Sequence, residues 1–370
     1  MDRFNLLPAE ITSDILTRLP AESVLDCKLV SKTWKNVIQH RSFSKLHTIR
    51  LLNHSATTYS TDFCKLSFLA FTDVGRLYYF DYIENHEIPN IDRIMRINLT
   101  SPFKYNVFVG SFNGLICLRG REERFCIYNP ITKEYVILPQ PKINFRQCKD
   151  RCIGFGYLPL TNEYKVVLMY KVPNFVEVMV YTLGNGSGWR NLGKFKIELG
   201  YAYAFEVHGI FANGDPHWIH RRRTIFLVFD LAGEKFRKHL ARPPLTRGCS
   251  YSDFGVLGGF LFCAHRRYDS VSQKFICSKF WLYKQKNGNC EWSQNFTAIC
   301  TAPLAFTKSG GIFSYSSSYL NSLKRLLGSN EQFVQIFSHK NSLVSLKDLG
   351  EEGSEIMQQS VKLEKRKRCD

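Results

Sequence analysis

The chain has 370 residues, 44% of them hydrophobic, and its 50 basic and 32 acidic residues give a formal net charge of +18. This length allows one small module plus one large domain, or two medium domains, with a sizeable core. No run of eighteen apolar residues is present, and the first residues, MDRFNLLPAE, lack an apolar signal core. We therefore expect a protein that stays inside the cell, in the nucleus and/or the cytoplasm, and has no membrane partner.

Three short helical signals follow within the first forty residues. Pro8 fits an opening turn, Pro20 ends the first helix, and Ser31 is placed to cap the third. The apolar residues at helical spacing are Ile11, Ile15, Leu16 and Leu19, then Val24, Leu25, Cys27 and Val30, then Trp34, Val37 and Ile38. A unit of roughly 40 residues is near or below the size at which one core is stable alone, so its apolar stripes need another surface. On periodicity alone, a helical cap on a larger domain and a docking module are both open.

The order of these residues resembles the F-box, a helical motif that binds Skp-family linkers of cullin-based ubiquitin ligases. The resemblance covers roughly residues 3 to 45 and rests on Leu7-Pro8, Ile15-Leu16, Leu19-Pro20, Val30-Ser31-Lys32 and Trp34. It implies an F-box at residues 1–46 that binds a Skp-family linker and, through it, a cullin and a RING subunit. The linker-binding residues that it implies are Leu7, Pro8, Ile11, Ile15, Leu16, Leu19, Pro20, Val24, Leu25, Val30 and Trp34. Leu16, Leu19 and Trp34 are the expected anchors, although each is also a candidate for the core of the helical unit.

After the helical segment, short runs rich in Val, Ile, Phe and Tyr alternate with Gly, Asn, Pro and Asp, which indicates a mainly β chain. A glycine followed by an apolar strand recurs at Gly75, Gly114, Gly214, Gly259 and Gly311, with a period of roughly 40 to 55 residues. Sheets of three or four strands at this period are typical of β-propeller blades, and the length predicts six or seven of them. Two β-sandwiches remain the alternative.

Two motifs resemble the F-box-associated domain of plant F-box proteins. These are VGSFNGLICL with IYNPITKEYVILP, residues 109–118 and 127–139, and IGFGYLPLTNEYKVV, residues 153–167. The resemblance covers roughly residues 95 to 300 and implies a kelch-like propeller that binds proteins. We expect this domain at residues 47–350, followed by a disordered basic tail at residues 351–370.

Catalytic and cofactor sites are not expected. The chain has no GxSxG, no phosphate loop ending in GK[ST] and no HExxH, and the run Gly184–Gly188 fits a hairpin turn better than a nucleotide site. Cys148 and Cys152, combined with His217 and His220, offer metal-ligand types without the paired CxxC spacing that marks a zinc site. The sequence therefore predicts a protein that is not an enzyme and holds neither metal nor cofactor.

Basic clusters mark three places in the chain. Arg221-Arg222-Arg223 and Arg266-Arg267 are candidates for binding an acidic or phosphorylated substrate. The tail residues Lys365, Arg366, Lys367 and Arg368 predict a nuclear import signal.

Together these features predict a substrate adaptor of a Skp–cullin–F-box ubiquitin ligase, in which the F-box docks on the linker and the propeller binds a protein for ubiquitination and proteasomal degradation. The substrate itself cannot be identified from the sequence. Two alternatives stay open: an F-box scaffold that acts outside any ligase, and a basic propeller that binds nucleic acid.

Overall fold

The structure is a computed structural model, and the residues that it describes fall into eighteen ranges. These are residues 7–57, 65–73, 76–83, 90–97, 107–120, 124–143, 148, 151–196, 208–219, 225–237, 240–245, 247, 249–269, 274–286, 289–298, 303–307, 311–314 and 333–357. No helix in these ranges is long and apolar enough to cross a membrane.

Four helices form the N-terminal part of the described chain, which we call the helical module (residues 7–57). They are α1 (Ala9–Leu16), α2 (Ala21–Cys27), α3 (Lys32–Gln39) and α4 (Arg41–Thr57). The first two begin after prolines, whose fixed backbone angle suits the start of a helix. Ser31 caps α3, because its side chain accepts a hydrogen bond from the backbone N–H of Trp34 at 3.2 Å. The sequence predicted the first three helices and missed α4.

The rest of the described chain is β structure. Its strands are β1 (Lys65–Thr72), β2 (Leu77–Ile83), β3 (Asn90–Ile97), β4 (Val107–Phe112), β5 (Leu115–Arg119), β6 (Phe125–Tyr128), β7 (Glu134–Ile137), β8 (Arg151–Leu158), β9 (Glu163–Val172), β10 (Phe175–Thr182), β11 (Trp189–Phe195), β12 (Ile210–Ala212), β13 (Asp215–Ile219), β14 (Ile225–Asp230), β15 (Lys235–Phe236), β16 (Leu240–Ala241), β17 (Cys249–Leu257), β18 (Phe260–Asp269), β19 (Lys274–Lys286), β20 (Asn289–Ala298), β21 (Pro303–Phe306), β22 (Ile312–Ser314), β23 (Phe333–Ser338) and β24 (Glu355–Ile356).

These strands form five antiparallel blades of four or five strands. Their strand orders are β23-β1-β2-β3, β4-β5-β6-β7-β24, β8-β9-β10-β11, β12-β13-β14-β15 with β16 beside β14, and β17-β18-β19-β20. A two-stranded sheet, β21-β22, stands between the fifth blade and the first, where β21 contacts both β17 and β23. This small sheet closes the ring between the fifth and first blades, and the Phe337 ring of β23 stacks on the Phe108 ring of β4 between the first and second blades. A closed ring of blades excludes the alternative of two β-sandwiches.

The prediction of six or seven blades was wrong for the described residues, which form five. Two strands near the C-terminal end of the described chain explain part of the error, because they extend blades that other parts of the chain begin. β23 completes the first blade beside β1, and β24 adds a fifth strand to the second blade beside β7. Long strands also reduce the number of blades that a given chain length can form, and β19 alone spans 13 residues.

The propeller core lies between neighbouring blades. Most of the buried apolar clusters draw side chains from two adjacent sheets, and one of them joins Trp218 and Phe229 of the fourth blade to Val167 and Val178 of the third. Several of the recurring glycines lie in the turns after innermost strands, because those turns need a positive φ that glycine adopts without strain. Gly114, Gly214 and Gly259 have φ of +81°, +86° and +83°.

The propeller has two faces. The innermost strands β4 and β8 both end at one of them, which we call the near face. Asn113 Nδ2, after β4, donates to Tyr164 Oη of β9 at 3.1 Å, and Lys165 Nζ donates to the Leu231 carbonyl at 3.4 Å. These bonds place the strand ends of three consecutive blades together. The opposite face, which we call the far face, carries the starts of the innermost strands and the hairpins β5–β6, β9–β10 and β18–β19.

The predicted tail also needs a correction. Residues 351–357 belong to the propeller, because β24 pairs with β7 and the Glu351 carboxylate accepts a hydrogen bond from the Gly184 N–H at 2.8 Å. Residues 358–370, including the predicted import residues Lys365, Arg366, Lys367 and Arg368, lie outside the described residues.

Candidate functional site

The helical module has its own apolar core, and part of the predicted linker-binding set lies in it. Leu16 and Val24 are 1% and 0% exposed and pack with Phe43 and Ile38. Leu19, Leu25 and Trp34 are half-buried against the same cluster. These side chains hold the helices together, so burial assigns Leu16 to the core of the module; Leu19 and Trp34, the other two expected anchors, are only partly covered.

The other predicted residues lie at the surface of the module. Ile11 and Ile15 are 48% and 41% exposed, and their spacing of four residues puts them on one face of α1. Val30, between α2 and α3, is 63% exposed. Pro8 and Pro20 are exposed and Leu7 is half-buried. Ile11, Ile15 and Val30 are thus apolar residues of the predicted set that the described structure leaves exposed.

The structure adds one residue to this surface that the motif did not supply. Leu29 is 87% exposed beside Val30, in the turn that follows α2. One indication of this exposure was present in the sequence: Leu29 follows the last turn of α2 and does not fit the helical spacing of the apolar residues in that segment. We call Ile11, Ile15, Leu29 and Val30 the exposed apolar set.

A second apolar feature lies on another side of α1. A groove of about 930 Å³ is lined by residues of α1, α3 and α4, among them Val37, Phe43, Leu46 and Ile49. At its edge Asp14 pairs with Arg50 at 2.7 Å and with Arg18 at 2.6 Å, and these guanidinium groups, Arg50 first, lower the pKa of the Asp14 carboxyl. Sequence reasoning missed this groove because it missed α4.

The helical module is fixed on the near face of the propeller by the residues that follow β23. We call residues 339–351 the C-terminal segment. Its Leu343 side chain, 6% exposed, lies within the apolar core of the helical module. The next apolar residues, Val344 and Leu346, pack instead into the core between the second and third blades. One short segment therefore has side chains in both parts of the protein.

Hydrogen bonds reinforce this junction. Glu22 at the start of α2 accepts from the Tyr79 hydroxyl of β2 at 3.3 Å and from Asn341 Nδ2 of the C-terminal segment. His339 Nε2 donates to Asn341 Oδ1 at 3.1 Å, while its Nδ1 accepts from the Ser111 hydroxyl at 2.8 Å. Burial lowers the pKa of His339 to about 4, so this imidazole is neutral near pH 7.

Buried polar side chains hold the same segment on the propeller. Asn129 Nδ2 donates to the carbonyls of Ser342 and Val344 at 3.1 and 2.8 Å. The Glu134 carboxylate accepts from the Lys347 N–H at 2.8 Å and from the Ser345 hydroxyl at 3.1 Å. The orientation of the helical module relative to the blades is thus set by many contacts, and not by the covalent connection after α4 alone.

The predicted substrate residues are only partly described. Arg221, Arg222 and Arg223 lie outside the described residues. Arg266 and Arg267 lie near the end of β18, at the far face, where Arg267 is exposed and Arg266 pairs with Asp253 at 2.8 Å.

The possible metal ligands do not come together where they are described. Cys148 packs in the core between the second and third blades, and Cys152 packs in the core between the third and fourth. His217 Nδ1 donates to the Asp215 carbonyl at 2.8 Å, and His220 lies outside the described residues. Within the described ranges, no three His, Cys, Asp or Glu side chains are grouped as metal ligands.

Comparison with known proteins identifies both parts of the chain. Residues 4–49 match the F-box-like family, and residues 67–308 match the F-box associated beta propeller domain. F-box protein CPR1 of Arabidopsis thaliana is 26% identical over 320 residues, which cover 79% of this chain and 72% of the relative. Arabidopsis F-box protein At5g65850 is 30% identical over 62% of this chain and 55% of its own length.

A further Arabidopsis thaliana F-box protein, At1g53550, is 28% identical over 63% of this chain and 58% of its own length. The chain thus spans little more than half the length of two of these three relatives. Among solved structures, YCF48 from Cyanidioschyzon merolae aligns with 64% of this chain and 74% of its own, at 10% identity and a TM-score of 0.30, which is too low to support an inference. The two family matches together cover most of the described chain, which therefore belongs to the F-box proteins that carry an F-box associated beta propeller domain.

Proposed function

We propose that this protein is a substrate-recognition adaptor of a Skp–cullin–F-box ubiquitin ligase. The observation that carries the proposal is the exposed apolar set on an F-box that is otherwise packed and held on a propeller. F-box proteins of this kind are generally non-catalytic adaptor subunits, and neither matched family indicates an enzymatic domain.

The adaptor acts by holding two partners at a fixed separation. A Skp-family linker covers the exposed apolar set and connects the chain to a cullin and a RING subunit, while the propeller binds the protein to be ubiquitinated. Ubiquitin transfer then gains rate from the high effective concentration of substrate lysines near the conjugating enzyme. The rigid junction at Leu343 and Glu22 supports this role, because a mobile F-box would lower that effective concentration.

Two double variants of the full chain distinguish the exposed apolar set from the groove. Ile11→Glu with Ile15→Glu places charges within the proposed interface, and we expect linker binding to fall at least tenfold, since losing one interface anchor typically costs about 1–4 kcal/mol. Leu46→Glu with Ile49→Glu places the same charges in the groove and is the matched control. Calorimetry measures the linker affinity of both variants. An affinity that falls in the Leu46 and Ile49 variant but not in the Ile11 and Ile15 variant would refute the assigned surface.

The linker alone does not establish a ligase. The alternative, an F-box scaffold outside any ligase, keeps the same linker contact, so cullin must be sought in complexes purified from cells with the proteasome inhibited. We expect cullin and RING subunit with the intact chain and not with a chain lacking residues 1–46. Linker recovered without cullin would favour the scaffold.

We also propose that the protein enters the nucleus through Lys365, Arg366, Lys367 and Arg368, a run of basic residues typical of import signals. A fluorescent fusion in which these four residues are replaced by alanine should lose nuclear accumulation. A fusion that still accumulates in the nucleus would refute this route.

A further inference from the structure

The chain leaves the described part of the propeller at Met357, on the near face. The Met357 N–H donates to the Lys133 carbonyl at 2.8 Å, in the turn between β6 and β7. Glu134, the first residue of β7, accepts from the Lys347 N–H of the C-terminal segment at 2.8 Å, which places this turn on the near face. Because the Met357 side chain is 4% exposed, the chain is anchored at this point.

This anchor lies beside the helical module. The Met357 side chain packs in the same apolar cluster as Tyr79, between the first and second blades. The Tyr79 hydroxyl donates to Glu22 at the start of α2 at 3.3 Å. From Glu22, α2 and the turn after it lead in about 10 Å to Leu29, a member of the exposed apolar set. The surface proposed for the linker and the start of the tail are therefore on the same side of the propeller.

The basic residues of the tail stay near this anchor in any conformation of the chain. Lys365 follows Met357 by eight residues, so a fully extended chain keeps it within about 29 Å of Met357. A folded protein of about 100 residues has a radius of gyration of about 13 Å, and hence a diameter of about 34 Å. A folded receptor of this size or larger on residues 365–368 is therefore wider than the tether that holds it to the near face.

The linker needs space on the same side. A stable interface covers about 800 Å² on each partner, which is a patch about 28 Å across, so a linker seated on the exposed apolar set extends well beyond those side chains. A receptor on the tail and a linker on the F-box then overlap beside the near face, and this overlap opposes their binding together. Such coupling is reciprocal, because each partner lowers the affinity of the chain for the other by the same factor.

We propose that the tail and the exposed apolar set bind their partners in alternation, so that an import receptor on residues 365–368 excludes the linker from the F-box. The chain then enters the nucleus without its linker and joins the ligase after the receptor has left. This inference rests on the proposed adaptor function and on the proposed import route, and it adds an order of assembly to them.

Calorimetry measures the affinity of the linker for the full chain, first alone and then with a saturating amount of a purified import receptor that binds short basic signals. We expect the receptor to lower linker affinity at least about tenfold, a factor within the range typical of coupled sites. In a chain with alanine at Lys365, Arg366, Lys367 and Arg368, the receptor should have no effect. The titration without receptor tests the adaptor proposal separately, because it depends on the F-box alone.

Two insertions test whether the short tether causes the coupling. A twenty-residue Gly/Ser insertion after Ser360 has a root-mean-square length of about 25 Å of its own, and we expect the receptor to change linker affinity less than about twofold in this chain. The same insertion after Cys369 follows the basic residues and leaves the tether unchanged. It is the matched control, in which the full effect of the receptor should remain.

Three results would overturn the inference. The first is equal linker affinity with and without the receptor. The second is an effect of the receptor that persists in the Ser360 insertion, because the coupling would then not arise from the tether. The third is an intact chain that does not bind the receptor, which would also refute the import route while leaving the adaptor proposal to the titration with linker alone.

Discussion

Leu343 provides the sharpest test of the junction between F-box and propeller. Replacing it by alanine removes three carbon groups from a side chain that is 6% exposed and lies among Leu16, Val24 and Phe43. At about 0.8 kcal/mol per group the transfer contribution is about 2.4 kcal/mol, and the cavity left behind raises typical Leu→Ala costs to about 2–5 kcal/mol. The neighbouring side chains are held by the helices, so the cavity cannot close fully and we expect about 3 kcal/mol.

Amide hydrogen exchange measures the loss of stability separately for the helices and for the blades. A cost of about 3 kcal/mol corresponds to roughly a hundredfold faster exchange for amides whose opening breaks this contact. We expect that increase in α1–α3 and none in the third blade, β8–β11. Leu245→Ala is the control, because Leu245 is 47% exposed and its truncation should leave exchange unchanged. Unchanged exchange in the helices of the Leu343 variant would refute the conclusion that this residue fixes the F-box.

Other perturbations probe the same segment. Gly184 and Gly186 both have positive φ, but a Cβ on Gly184 would lie 1.6 Å from the Leu349 carbonyl oxygen while Gly186 has open space. In denaturant unfolding, Gly186→Ala should therefore cost about 1 kcal/mol and Gly184→Ala about 3 kcal/mol or more; equal costs would contradict the packing of the C-terminal segment. The folded-state pKa of His339 lies below its unfolded value near 6.5, so its neutral form stabilises the protein fully above pH 6.5 and this contribution falls as pH drops toward 4. His339→Gln should flatten that part of the stability profile measured by chemical denaturation, and an unchanged profile would show that other groups cause it.

Local chemistry was predictable from the sequence. Ser31 caps α3 as predicted because an N-cap needs only a hydroxyl within three residues of an N–H. The glycines at 114, 214 and 259 mark turns because positive φ is a local requirement. The prediction that Gly184–Gly188 form a hairpin turn is confirmed for the same reason, since they connect β10 to β11.

Long-range structure was not predictable in the same way. Leu343 packs against residues more than 300 positions earlier in the chain, and nothing in its neighbours distinguishes an F-box contact from the propeller contacts of Val344 and Leu346. The division of the F-box motif into buried and exposed parts was equally hidden, because Leu16 and Ile15 are adjacent apolar residues whose environments depend on the packed fold. The predicted number of blades was wrong for the described residues because β23, late in the chain, completes a blade that begins at β1.

The order of synthesis gives the C-terminal segment another consequence. A ribosome makes the F-box first and residues 339–351 more than 280 residues later, so a nascent chain carries its F-box without the contacts that orient it. Docking of Leu343 and closure of the ring by β23 occur at the same late stage. A chain interrupted by a premature stop codon before residue 333 would thus lack both β23, which completes the first blade, and Leu343, which packs in the core of the F-box, so one truncation removes both long-range connections.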